Sequence, residues 1–347
     1  MSSPPLARSG PSRLAADTMP RSARTTALRL ALILLAAAAL GVLLGLSAGS
    51  NGWSGAWATD WDLIRDIRMP RTLGALAAGA LLGLAGAIAQ GLFRNALADP
   101  YLLGSAAGAG LGVVLVLAAG GLLGVSVGGA VTEALLRVGL IGAAFVGALV
   151  GVSLTLAMAG GAGRPTVLLL SGVVVGVLMT ALADGVVMLS PEALRGKQVF
   201  LLGSTSFLGW SSVAVLVASL AVALPLAMRM ARAMDALVLG DATATSLGLP
   251  LGRVRLLLVA LMAFATGAAV AQVGLVAFVG LVAPHLVRRS VVVTHGRLLA
   301  LAALAGGVLL LAADVAARSL LVPQELPVGM LTAVFGGLYL LRLLRRR

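Results

Sequence analysis

The chain is 347 residues long, 60% hydrophobic and only 11% charged, with a mean hydropathy of +1.08 and a net charge of +13. About a quarter of the residues of a soluble globular domain are charged, so this composition excludes that class and specifies an all-α polytopic membrane protein. Cysteine is absent and the only histidines are His285 and His295, so no disulfide, metal centre or cofactor is expected. The positive charge lies at span ends rather than in a stripe interleaved with aromatics, so no nucleic acid is expected as a partner.

In chain order, residues 1–27 are rich in Ser, Pro and Arg without an apolar period and read as a disordered cytoplasmic arm. Residues 28–48 form a first span. A cleaved signal peptide competes with that reading, but an apolar run of about twenty residues exceeds the roughly 7 to 15 of a signal core. The following segment, 49–67, carries Trp53, Trp57 and Trp61, aromatics suited to the boundary between lipid and water.

Arg68 and Arg71, in IRMPR, stand at the mouth of the second span. A guanidinium at the bilayer centre costs about 2.5 to 3.5 kcal/mol on insertion scales, which places both at the interface. There they are free either to anchor the chain or to meet an acidic partner. Further spans are expected at 72–93, 101–118, 138–159, 165–189, 207–228, 254–273, 276–287, 298–318 and 326–341, making about ten. The 276–287 piece is too short to face lipid and must be covered by other helices.

Two breaks interrupt the spans: RNALADP at 94–100, containing Asn95 and Leu97, and GRPT at 163–166, containing Pro165 and Thr166. Both are turn chemistry, and both could also form a gate. Asp184 lies near the outer end of its span, so no acid marks the midplane where proton or sodium relays usually place one.

Residues 236–255, ALVLGDATATSLGLPLGRVR, separate two long apolar segments. Asp241 is expected as the N-cap, Gly248 in the left-handed position after the last turn, and Pro250 as the stop, giving a helix of about two turns near 241–248. Leu237, Gly240, Ala244 and Leu247 fall at helical spacing as a shallow stripe suited to a groove on a partner. A capped connector is the plain alternative. His285 reads as a helix-terminal hydrogen-bonding residue, and Asp314 with Arg318, four apart, as an ion pair.

With these spans 18 of the 25 basic residues fall on one side, including those around the capped helix, and 7 on the other. The positive-inside rule then puts both termini and that helix in the cytoplasm and the protein in the plasma membrane. GAIAQ at 86–90 is repeated as AAVAQ at 268–272, and the same offset carries Arg71 onto Arg253, in two spans of opposite direction. Inverted repeats of this kind occur in transporters.

From about residue 60 to 344 the chain resembles the FecCD-type permease subunits of type II ABC importers, which take up iron-siderophores, haem and cobalamin. The resemblance rests on IRMPRTLGALAAGALLGLAGAIAQGLFRNALADPYLLGSAAGAGLG, LLLSGVVVG, LGDATATSLGLPLGR, VGLVAFVGLVAPHLVRR, ADVAAR and ELPVGMLTAVFGG, in the family's order and spacing. It implies a permease domain over 28–347 with the ten-helix type II fold. It also implies a homodimer or paired permease subunits, two cytoplasmic ATPase subunits and an external substrate-binding protein.

The motifs imply roles residue by residue. Arg68, Arg71 and Arg318 match the family's docking arginines for the binding protein. Asp241, Ala244, Leu247 and Gly248 match its ATPase-coupling helix, and Asn95, Leu97, Pro165 and Thr166 match its cytoplasmic gate. The chain departs from the family at Ala96, usually proline, at Phe200, often tryptophan, and at Gly337, often proline.

The expected function is that of a membrane-spanning permease for a metal chelate, ferric siderophore first, with haem or cobalamin as alternatives. The chain itself is expected to carry out no bond chemistry: it has no GxxxxGK[ST] nucleotide loop and no convergent Ser/His/Asp set or paired carboxylates. An ion-coupled secondary transporter is the rival reading.

Overall fold

The computed structural model describes residues 21–49, 52–53, 61–122 and 130–345. The first helix, α1 (Arg21–Ser47), ends in a short antiparallel pair of β1 (Ala48–Gly49) and β2 (Gly52–Trp53). A one-turn α2 (Trp61–Leu63) passes through a π-helical turn, Ile64–Arg68, into α3 (Met69–Phe93) as one continuous rod. A 3-10 turn at Pro100–Leu103 leads to α4 (Ser105–Leu122). There follow α5 (Ala130–Met158), α6 (Pro165–Leu189), α7 (Pro191–Leu202), α8 (Trp210–Val238), α9 (Asp241–Ser246) and α10 (Leu251–Val273). The chain closes with α11 (Val279–Ser290), α12 (His295–Ser319) and α13 (Val328–Leu344).

Each expected span falls on a helix. Among the described residues seven helices, α1, the α2–α3 rod, α5, α6, α8, α10 and α12, are long and apolar enough to cross a bilayer, and α4 and α13 contain shorter apolar helices. α11, with 12 residues, reaches about 18 Å of a roughly 30 Å core. Its residues from Val279 to Pro284 are all buried, which gives its end groups protein surroundings instead of lipid.

The rod α3 is the axis of the bundle. It is apolar all round, and from Gly74 to Leu92 nearly every residue is buried against α8, α10, α11 and α12. Its Ala and Gly faces let backbones touch: a Cβ on Gly86 would overlap the Gly280 carbonyl of α11, and one on Gly83 the Ala302 carbonyl of α12. By contrast α6 is buried along one stripe only, Leu168, Ser171, Gly172, Val175, Met179 and Ala183, and turns Leu170, Val173, Val177 and Leu182 outward.

Several expectations are corrected. α1 begins at Arg21, so the last seven residues of the expected arm continue the helix of the first span. Residues 1–20 and Trp57 lie outside the described residues. α8 runs ten residues past 228, through Pro225, because RMARAMDALV keeps burying Ala231, Met234 and Leu237 at helical spacing. The helix α7, which falls between two expected spans, forms after Ser190 with Pro191 at its first position and buries Ala193 and Phe200.

Candidate functional site

The site is built around α9. Gly240, with φ of 101°, turns the chain out of α8 and occupies the N-cap position. Asp241 is therefore the first helical residue rather than the cap. Its carboxylate is occupied elsewhere: Arg255, in the first turns of α10, donates to both of its oxygens at 2.7 and 2.8 Å, and Arg94 lies 3.5 Å away. The Arg255 hydrogen bond, together with the two positive charges, holds the Asp241 carboxyl below the usual carboxylate range despite partial desolvation.

Gly248, with φ of 81°, ends α9 as expected. Its N–H donates to Thr245 O at 2.8 Å and that of Leu249 to Ala244 O at 3.1 Å, the paired bonds of a Schellman stop. The stripe proposed for docking is split by packing. Leu237 and Ala244 face inward and are fully covered, whereas Leu247 is 63% exposed beside exposed Ala242, Thr243, Thr245, Ser246 and Gly248. A six-residue helix has too few turns to stand alone, so one side of it must rest on the bundle. Just upstream, Asp235 accepts the His295 N–H at 2.9 Å with the His295 Nδ1 2.7 Å away, pinning the end of α8 to the start of α12.

Both chain breaks lie at this same end. Arg94 adopts the left-handed conformation (φ 50°) as the C-cap of α3, and its N–H reaches back to the Gln90 and Gly91 carbonyls. Exposed Asn95 then folds its Oδ1 onto the Leu97 N–H at 2.9 Å, and Leu97 is itself exposed. Across the junction, Gly163 O accepts from Arg255 Nη1 at 2.6 Å, immediately before Pro165 opens α6 with Thr166 exposed. Because the end of α3 and the start of α10 share Asp241, these two helices run antiparallel.

From this end a cavity of about 750 Å³ follows α6 from Gly172 to Asp184, about 18 Å at 1.5 Å per residue. Gly104, Ala107, Gly110, Gly172 and Gly176 keep its wall shallow. Asp99 lies at one end, its carboxyl pushed up to about 6 by burial even though the Tyr101 N–H donates to it. At the other end Lys197 of α7 pairs with Asp184. The rest of the lining is almost wholly apolar, so a large solute would meet few strong partners along it.

The far end holds the three predicted arginines. They converge on a cavity of about 90 Å³ shared with Glu325, but as buried groups. Arg68 donates to Leu46 O at 3.1 Å and Arg318 to Gly45 O at 3.0 Å, so both cap the carbonyls at the end of α1. Arg71 donates to Asp314 Oδ1 at 2.9 Å and to Glu325 at 2.8 and 3.0 Å, and the expected Asp314–Arg318 pair closes at 2.6 Å. The expectation of side chains free at the surface is corrected here: a guanidinium at the lipid boundary is stabilised by internal acceptors, and α1, Asp314 and Glu325 supply them. Thr205, which also donates to Asp314, carried no local sequence signal, and Glu325 stood in the ELPVGM motif without a role assigned to it.

The FecCD transport family model matches residues 26–346. The chain belongs to the FecCD transport family. Among its FecCD relatives are the hemin transport system permease protein HmuU of Yersinia pestis and the Fe(3+) dicitrate transport system permease protein FecD of Escherichia coli. The first is 36% identical over 83% of this chain and 84% of that protein, the second 36% over 83% and 89%. The cobalamin import system permease protein BtuC of Halobacterium salinarum is 36% identical over 82% of this chain and 74% of its own length. A solved structure described as the inward-facing conformation of a candidate metal-chelate ABC transporter superposes with a TM-score of 0.78 at 26% identity, covering 93% of this chain and all of that one.

Phe200 fills its site under α4 beside Gly110, and its carbonyl accepts the Leu275 N–H at 2.8 Å.

Proposed function

We propose that this chain is the membrane-spanning permease of an ATP-driven metal-chelate importer, with ferric siderophore as its cargo and haem or cobalamin as alternatives. Two permease subunits pair through the open faces of their α6 helices. Two ATPase subunits seat against α9, with both termini on that cytoplasmic side, and a substrate-binding protein docks at the far end. The relatives carry hemin, ferric citrate and cobalamin in their names, three bulky chelates, which supports a chelate as the class of cargo.

The observation that carries this reading is the cavity beside α6. It runs from the Asp99 turn to the Asp184–Lys197 pair and is lined with glycine, alanine and aliphatic side chains. A wall of that chemistry lets a large solute slide without tight binding, and in this reading the energy comes from the separate ATPase subunits. Motion of the ATPases would move α9 and switch the opening of the cavity from one side of the membrane to the other.

The test is uptake into proteoliposomes holding the permease, its ATPase and its binding protein. Import of haemin, ferric dicitrate, ferric enterobactin or cobalamin that requires ATP and ignores ion gradients is the expected result. Uptake that follows a sodium or proton gradient without ATP would establish the secondary-transporter reading instead.

A further inference from the structure

Three separate segments meet at one buried guanidinium. The Arg255 side chain is 3% exposed; Nη2 grips both oxygens of Asp241 and Nη1 holds Gly163 O at 2.6 Å. Arg94 Nη2 lies 3.5 Å from Oδ1, the oxygen that Arg255 also holds. Asp241 is the first residue of α9, Gly163 precedes the Pro165–Thr166 break, and Arg94 opens the link that contains Asn95 and Leu97. The first turn of α9 is thus fastened to the 163–166 break by the hydrogen bonds of Arg255, and it is in ion-pair range of Arg94 at the other break.

We propose that Asp241, Arg255 and Arg94 form the junction through which movement of α9 reaches both gate segments, with Arg255 as the positioning residue for the 163–166 segment. This rests on the reading of α9 as the ATPase contact. The planar fork of arginine fixes two acceptors at a set angle, which a lysine ammonium cannot do. A buried guanidinium left without its acceptors is strongly unfavourable, so when Asp241 moves, Arg255 moves with it and draws the Gly163 carbonyl along. Arg94 couples the second segment through a longer, more exposed contact, and that arm is the looser of the two.

The experiment uses the complete transporter in proteoliposomes, with Arg255→Lys, Arg255→Gln and Asp241→Glu. The measured quantity is chelate imported per ATP hydrolysed, with ferric enterobactin, ferric dicitrate, haemin and cobalamin as probes. A second readout uses the cysteine-free background: a Thr166→Cys reporter, whose maleimide labelling rate is followed with and without ATP. Arg255→Lys and Arg255→Gln are expected to lower import per ATP about tenfold and to abolish the ATP-dependent change in labelling, while Asp241→Glu recovers most of both. Arg255→Lys keeps charge and bulk, so it reports even if the Gln variant does not assemble. A parent that imports and responds to ATP, with Arg255→Lys matching it on both readouts, overturns the junction. A parent that shows no ATP-driven import overturns the function itself.

Discussion

Arg71 and Arg318 hold opposite oxygens of a single carboxylate, that of Asp314: Arg71 Nε lies 2.9 Å from Oδ1 and Arg318 Nη2 lies 2.6 Å from Oδ2. Asp314 is fully buried, so its charge is the counter-ion that allows two guanidiniums to sit inside the bundle between α3 and α12. Removing it in Asp314→Ala leaves the buried Arg318 without a carboxylate and Arg71 with Glu325 alone, a loss of about 3 to 5 kcal/mol. Thermal unfolding of the purified protein in detergent should show this as a large drop in midpoint. An unchanged midpoint would mean that the arginines find other acceptors.

Glu325 occupies Arg71 from the solvent side and is also bonded by Ser206 at 2.8 Å. Burial pushes its carboxyl up, but Arg71 and Ser206 outweigh that and hold it below the usual range. If a binding protein presents an acid to the arginine cavity, Glu325 is the group it must displace. Glu325→Gln is expected to tighten attachment of the binding protein about tenfold at low salt, and Arg68→Glu to weaken it. Surface-capture measurements at two ionic strengths check both. Equal affinities would assign the arginines to capping α1 alone.

At the opposite end, Ala244 and Leu247 should respond differently. Leu247 is exposed, and Leu247→Ala is expected to weaken ATPase attachment by about 1 to 2 kcal/mol without altering permease stability. Ala244 is fully buried, so Ala244→Trp overpacks the base of α9 and destabilises the permease by about 1 to 3 kcal/mol. Co-purification of the ATPase together with thermal unfolding separates the two effects. An Ala244→Trp variant of normal stability that no longer binds ATPase would put Ala244 on the contact surface.

A glycine-mediated helix contact makes a prediction by contrast. Gly86→Ala places a methyl against the Gly280 carbonyl and is expected to cost about 1 to 3 kcal/mol by forcing α3 and α11 apart. Gly252, in the first turn of α10, has no atom near its missing Cβ and an ordinary backbone. Gly252→Ala should be neutral or stabilising by up to about 1 kcal/mol through helix propensity. Thermal midpoints of the two variants test the pair.

Asp99 supplies a pH dependence. Its folded pKa of about 6 lies above the ordinary aspartate value of 3.8, so the neutral form is the one the fold favours. That contribution is complete below pH 3.8 and is lost as pH rises through 6. Amide exchange over residues 95–103 should therefore quicken between pH 5 and 7 beyond the intrinsic chemical rate, by about threefold or more. Asp99→Asn, which still accepts from the Tyr101 N–H, should flatten that extra dependence.

The sequence by itself settled the membrane class, the approximate positions of the spans, the need to cover the short 276–287 segment and the glycine stop after α9. These follow from local properties: apolar run length, and a backbone conformation that glycine adopts without strain. The Asp314–Arg318 pair was legible for the same reason, since four residues of helix bring the two together. Tertiary structure decided the rest. Arg71 meets Asp314 and Glu325 across 243 and 254 residues, and Arg255 meets Gly163 across 92, distances at which no periodicity reports. Whether a charge faces outward or is held inside depends on which acceptors the packed helices bring to it, and the burial of Ala244 depends on the surface its helix rests upon. Only the assembled bundle supplies either.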